Sequence, residues 1–208
     1  MGFRQFMASQ LRRPSGWFGS LVVTRVMNRV NARITDSTIA LLEIQPQHGV
    51  LEIGFGGGHG LARLAEVVRR GNVAGVDFSD DLARQAQRRF RKEIAQGRLT
   101  VQLGDVSRLP YSDENFDRVL TINTIYFWPD TLQGLGEIRR VLKNGGRAAV
   151  AIRSKEKMEK YAVTQHGFRL FSADELAELM RQAGFRDIRV EHRDQEKSYD
   201  QVIVVGTR

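Results

Sequence analysis

The eleven residues VLEIGFGGGHG, positions 50–60, restrict what this 208-residue chain can fold into more than any other stretch. Val50, Leu51 and Ile53 form the apolar run of a strand buried on both faces. Five of the seven residues from Gly54 to Gly60 are glycine, so the backbone can turn sharply there and let a ligand come close. The segment LARLAEVV, positions 61–68, then resumes at helical spacing and aims the N–H groups of a helix start at the turn. Strand, glycine turn and helix together make a nucleotide-type cofactor site.

The turn departs from the dinucleotide fingerprint G-x-G-x-x-G. Counted from Gly54, His59 stands where the third glycine belongs; counted from Gly56, Leu61 stands there. The spacing that fits is E-x-G-x-G-x-G, through Glu52, Gly54, Gly56 and Gly58. Further strands follow in order. NVAGVDF (72–78) ends in Asp77 and Phe78 and precedes a helical run from Leu82 to Ile94. LTVQLGDV (99–106) ends in Gly104, Asp105 and Val106, and FDRVLTIN (116–123) is reached through Leu109-Pro110-Tyr111. EIRRVLKNGGR (137–147) reads as a helix and turn leading into the strand AAVAI (148–152). Each feature alone is ordinary turn or cap chemistry; the ordered set is specific.

From Val50 to Ile152 these landmarks resemble the class I, Rossmann-like S-adenosylmethionine-dependent methyltransferases, in particular the small-molecule branch of quinone-biosynthesis and sterol methyltransferases. The resemblance implies an α/β fold, a doubly wound seven-stranded sheet of order 3-2-1-4-5-7-6 with the last strand antiparallel, and an N-terminal helical lid. It implies S-adenosylmethionine as cofactor and S-adenosylhomocysteine as product. Glu52, Gly54, Gly56 and Gly58 would form the cofactor loop, with Glu52 bracing it or touching the ligand. Asp77 would accept both ribose hydroxyls, and Phe78 would pack on the adenine face or turn into the core. Asp105, with Val106 beside it, would take the adenine amino group, and backbone near Asn123 the amino group of the methionine part. The NPPY-type tetrapeptide of amide and base N-methylation is absent; Asn123-Thr124-Ile125-Tyr126 stands in its place.

The substrate side is read from the aromatic run after the fourth strand and from the chain ends. Tyr126, Phe127 and Trp128 are candidates for the substrate pocket through their ring faces, with hydrophobic packing as the alternative for each, for Phe127 most of all. His166 is a candidate there too, or a plain loop residue; no catalytic acid or base is assigned. A second lid segment is expected over residues 155–171, and Ser172-Ala173-Asp174-Glu175 is a capping box opening a helix to Ala183. Ile188-Arg189-Val190 and residues 202–205 supply two closing strands. Before the first strand, one helix is expected around Phe3–Leu11, a second from Trp17 through Val30, and a third from Thr35-Asp36 to before Pro46. Residues 1–49 carry six arginines, no lysine and two acids, so the first helix suits a lid or a basic anchor on a membrane surface.

Composition narrows the remaining classes. The length suits a single domain, with residues 1–48 helical and residues 49–208 forming the cofactor-binding core. With no cysteine, disulfides, thiolate metal ligands and a cysteine nucleophile are excluded. His48, His59, His166 and His192 show no metal-ligand spacing, and no metal is expected. No membrane-span length or secretory signal is evident, which fits a cytoplasmic location. The net charge of +8 raises nucleic acid as a partner. Arg88, Arg89, Arg91 and Lys92 share one helix without interleaved aromatics, however, which suits a solvated face. The expected partner is a small, apolar metabolite; the competing readings are a nucleic acid or protein methyltransferase and a silent cofactor-binding module.

Overall fold

The structure, a computed structural model, describes residues 2, 5, 8–10, 24–194 and 200–208. The first half of the chain contributes α1 (Thr24–Leu41), β1 (Gly49–Ile53), α2 (His59–Val67), β2 (Asn72–Asp77), α3 (Asp80–Arg89), α4 (Arg91–Ala95) and β3 (Leu99–Leu103). The second half adds β4 (Phe116–Ile122), α5 (Thr131–Val141), β5 (Leu142–Arg153), α6 (Lys155–Met158), α7 (Ala173–Gln182), β6 (Arg186–Asp194) and β7 (Asp200–Thr207). Short 3₁₀ turns lie at Ile125–Phe127 and Ala162–Gln165.

The seven strands form one sheet in the order β3-β2-β1-β4-β5-β7-β6, as the resemblance implies. β1 pairs in parallel with β2 and β4, β2 with β3, and β4 with β5. β7 runs antiparallel between β5 and β6. After β3 the chain crosses to the far side of β1 to begin β4. The connections leaving β1 and β4 therefore diverge, and a crevice opens beyond their carboxyl ends.

The pleat explains the apolar runs. Leu51, Ile53, Val119, Val150 and Val204 point to one face and meet Leu135 and Ile138 of α5 and Leu176 and Met180 of α7. Their neighbours Val50, Leu120, Ala149 and Ile203 point to the other, against Ile34 of α1, Leu61 and Leu64 of α2, and Leu82 and Ala86 of α3. Successive residues alternate faces, so a strand covered on both sides is apolar at nearly every position, Glu52 of β1 being the exception here. All five residues of β1 are buried.

Three local expectations are revised. α1 runs unbroken through Thr35-Asp36, where a separate helix was expected to start. The hydroxyls of Thr35 and Thr38 donate to the carbonyls of Asn31 (2.9 Å) and Ile34 (2.6 Å) one turn back, so they continue the helix instead of capping a new one. The expected first helix and the start of the second lie largely outside the described residues. The helix expected over residues 82–94 is two helices, α3 and α4, divided at Phe90. Phe90 leaves helical geometry at φ −100° and ψ 22° while its ring is buried in the second core. The closing strands are longer than their apolar centres, because the antiparallel ladder from Arg147↔Thr207 to Arg153↔Gln201 recruits polar ends. The capping box forms as expected: Ser172 Oγ accepts from Glu175 N at 3.1 Å, and Ser172 N donates to Glu175 Oε2 at 2.7 Å.

Candidate functional site

A cavity lies over the carboxyl ends of β1, β2, β3 and β4. β1 and its turn contribute Glu52, Gly54, Phe55, Gly56 and Gly57; α2 contributes His59 and Gly60. Asp77 and Phe78 come from the end of β2, and Asp105 and Val106 from beyond β3. Asn123, Thr124, Phe127, Trp128 and Pro129 follow β4, and α1 covers the opening with Asn28, Asn31 and Thr35.

The glycines have separable reasons. Gly54 has φ +70°, and a Cβ there would stand 2.3 Å from Thr124 Cγ2. Gly56 has φ +53° and nothing within 4 Å of an added Cβ, so its bare main chain faces open space in the cavity wall. Gly58 does not line the cavity: it opens α2 at φ 73°, and a Cβ there would stand 3.0 Å from the Phe90 ring.

Asp77 joins two walls. Its Oδ2 accepts from Gly56 N at 3.0 Å and its Oδ1 from Ser79 N at 2.9 Å, so one carboxylate holds the glycine turn against β2. With about four acceptor sites on a carboxylate, Asp77 keeps capacity beyond these donors. Burial pushes its pKa upward, and the backbone donors of Ser79, Gly56 and Phe78 oppose that rise. Glu52 lies deeper, 4% exposed. Burial first, and the Asp77 charge second, push its carboxyl up to about 8, against a hydrogen bond from the Leu61 backbone. Glu52 Oε2 is buried without a hydrogen-bond partner among the described residues. A Cβ at Gly60 would fall 2.1 Å from Glu52 Oε1, so the helix start is shaped around this side chain.

Asp105 is exposed at the cavity edge. Its Oδ1 accepts from the Ser107 backbone at 2.8 Å and hydroxyl at 2.7 Å, which orients the carboxylate. Val106 is buried beside it. Phe78 belongs to the cavity wall and to neither core cluster. Asn123 sits at φ 56°, a conformation asparagine tolerates better than most residues. Its Nδ2 donates to Asn31 Oδ1 at 3.1 Å and its Oδ1 accepts from the Tyr126 hydroxyl at 3.1 Å.

Of the expected substrate-pocket residues, Trp128 and Phe127 line the cavity, and Tyr126 and His166 do not. Tyr126 is 3% exposed, and its hydroxyl accepts from Arg153 N at 2.7 Å; desolvation drives its pKa upward. It supports Asn123 from behind, and Phe127 takes the place on the wall. His166 ends the 3₁₀ turn of residues 162–165 with its N–H on Val163 O at 3.2 Å, away from the cavity lining. The segment around it is a buttress: Phe168 packs on Phe127 with centroids 4.6 Å apart, and Arg169 N donates to Tyr126 O at 3.0 Å.

The roof residues are the ones that sequence reasoning missed. Asn28, Asn31 and Thr35 are spaced i, i+3 and i+7, one polar stripe on a helix. Asn28 Nδ2 donates to Gly57 O at 3.2 Å while Asn31 meets Asn123, so α1 is fastened to both turns that frame the cavity. That stripe was the available signal, hidden by the misplaced helix boundary.

Residues 51–150 match the family described as a methyltransferase domain. The strand order and the glycine cavity agree with that match, and the fold is the class I, Rossmann-like one of the S-adenosylmethionine-dependent methyltransferases. Methyltransferase GfsG of Streptomyces halstedii is 35% identical over 119 residues, covering 57% of this chain and 42% of that protein. The rice (Oryza sativa subsp. japonica) chloroplastic 2-methyl-6-phytyl-1,4-hydroquinone methyltransferase 1 is 29% identical over 146 residues, or 69% of this chain and 43% of that one. The chain thus spans less than half the length of these two relatives. The crystal structure of an S-adenosylmethionine-dependent methyltransferase from Thermotoga maritima superposes with a TM-score of 0.69 at 27% identity, covering 99% of this chain and 97% of that one.

Proposed function

We propose that the protein transfers a methyl group from S-adenosylmethionine to a small, apolar metabolite. The observation that carries this reading is the juxtaposition, in one cavity, of bare main chain at Gly56 with the buried Asp77 carboxylate that it helps to hold. The donor set fits an adenosine-bearing cation. Asp77 keeps acceptor capacity for a ribose hydroxyl beyond its three backbone donors, and Asp105 Oδ2 has no hydrogen bond among the described residues. Glu52, Asp77 and Asp105 bring carboxyl groups to the lining, and among its described residues there is no lysine or arginine.

The cofactor, when bound, supplies an electrophilic methyl on a sulfonium sulfur; the acceptor's lone pair forms the new bond, and the electrons of the broken bond stay on sulfur. The chain's own work is alignment and exclusion of water. Asp77, Asp105 and the glycine turn would fix the cofactor at the sheet edge. Phe127 and Trp128 would present an apolar wall to the acceptor, and α1 would roof both. The phytyl hydroquinone in the rice relative's name supports an apolar acceptor.

Incubation with methyl-labelled S-adenosylmethionine and fractionated cell extract tests the proposal. Label is expected in the organic-soluble, low-molecular-weight fraction. Label found only in RNA, DNA or protein would overturn the substrate class, and no transfer to any fraction would overturn the activity.

A further inference from the structure

Glu52 is an unusual wall for a cavity that stabilises itself mainly with backbone donors. It is 4% exposed, its Oε2 has no partner among the described residues, and it shares the cavity with the Asp77 carboxylate. Two buried carboxylates facing one cavity repel unless one holds a proton or a cation lies nearby. Among the described residues no lysine or arginine lines the cavity; the Arg89 guanidinium of α3 ends on Gly57 O at 2.7 Å. α2 offers the Leu61 N–H and, in the lining, His59; β2 brings Asp77 and the loop after β3 brings Asp105. β4 contributes the Thr121 hydroxyl, already donated to Ile53 O at 3.0 Å, and the described lining residues of α1 are the uncharged Asn28, Asn31 and Thr35.

We propose that Glu52 is the charge-selective residue of the site: it carries a proton while the cavity holds no cation and gives that proton to solvent when a sulfonium binds. The inference rests on the cofactor reading above and deepens it. The sulfonium and Glu52 then neutralise one another inside the protein, where screening is weak. Methyl transfer removes the positive charge from sulfur. With the thioether product in place, Glu52 takes a proton back from solvent, and the electrostatic part of the grip disappears. The residue therefore favours cofactor over product, and does so more strongly as pH rises.

Burial explains the direction: a carboxyl raised to about 8 is mostly protonated at pH 7 and is available to report a cation. The α-amino and carboxyl groups are common to cofactor and product, so comparing the two ligands isolates the sulfonium charge.

Titration calorimetry of the wild-type chain at pH 7, in phosphate and in Tris, reads proton release directly. The heat of S-adenosylmethionine binding is expected to differ between buffers by most of one proton's ionisation heat, and that of S-adenosylhomocysteine by much less. Glu52→Gln is expected to erase the difference between the ligands. From about pH 6 to about pH 8, wild-type preference for cofactor over product should rise by up to tenfold per unit. That second measurement stands if Glu52→Gln fails to fold. Buffer-independent heat with S-adenosylmethionine, equal proton release with both ligands, or a pH-flat preference would overturn the inference while leaving the cofactor reading intact. Binding of neither ligand to the folded chain would overturn the cofactor reading, and the inference with it.

Discussion

At the scale of single residues, the site is organised by two buried carboxyl groups with different partners. Asp77 is held by main-chain donors on both oxygens, whereas Glu52 has one oxygen unsatisfied among the described residues. Asp77→Ala removes those contacts and the acceptors proposed for the ribose. Cofactor affinity should fall by about 2–3 kcal/mol, the worth of charged hydrogen bonds, in a chain whose circular dichroism shows it folded. Unchanged affinity by calorimetry would refute the ribose role. Glu52 also predicts a pH dependence of stability. Its folded pKa of about 8 exceeds the ordinary 4.5, so the protonated carboxyl favours the native state. Its contribution is full below the unfolded value, shrinks as pH rises between the two, and is gone above the folded value. The total is on the order of 5 kcal/mol. Urea unfolding should show Glu52→Gln gaining on wild type as pH rises through this window and running parallel to it outside; a constant difference across the window would contradict the assignment.

Elements show why some features are legible in sequence and others are not. The glycine turn, Asp77 and Asp105 could be read because each closes a strand whose apolar run marks its end, and such runs follow from burial on both faces. Asn123 was legible only through the resemblance, since a single asparagine after a strand carries no periodic signal. Tyr126 and Phe127 are adjacent aromatics, and only the 3₁₀ turn at Ile125–Phe127 decides which one faces the cavity and which the core. The roof was obscured because Thr35-Asp36 looks like a helix start, while the hydroxyl in fact bonds back along α1. Two variants test these elements. Asn31→Ala deletes the acceptor of Asn123 Nδ2 and should lower stability by about 1 kcal/mol. Hydrogen exchange should then quicken in α1 more than in β4; equal change in both would argue against a roof fastened at this point. Ser172→Ala removes the cap of α7 and should lower stability by about 1 kcal/mol in thermal unfolding, without altering cofactor affinity.

For the whole molecule, the decisive feature is that β7, the last strand, lies inside the sheet. It pairs with β5 on one side and β6 on the other, and residues 201–206 are all buried. Removing residues 200–208 would strand β6 and bare the apolar edge of β5, an aggregation-prone arrangement. The shortened chain is expected to be insoluble or to lose cooperative unfolding; a soluble product with wild-type melting would show that the remaining strands suffice. The basic surface is a separate matter. Arg88, Arg91 and Lys92 are exposed on α3 and α4, where they can keep the protein in solution without belonging to the cavity.

The bond from Asn31 to Asn123 joins residues 92 positions apart, whereas Asn28 reaches Gly57 across only 29. A ribosome therefore releases the first mooring of this helix long before the second exists. Until β4 has been made and seated, the helix can hang from one side only, with no far wall to close against. Ligand capture should thus be among the last abilities the nascent protein acquires, arriving with its long-range contacts and not with its local ones.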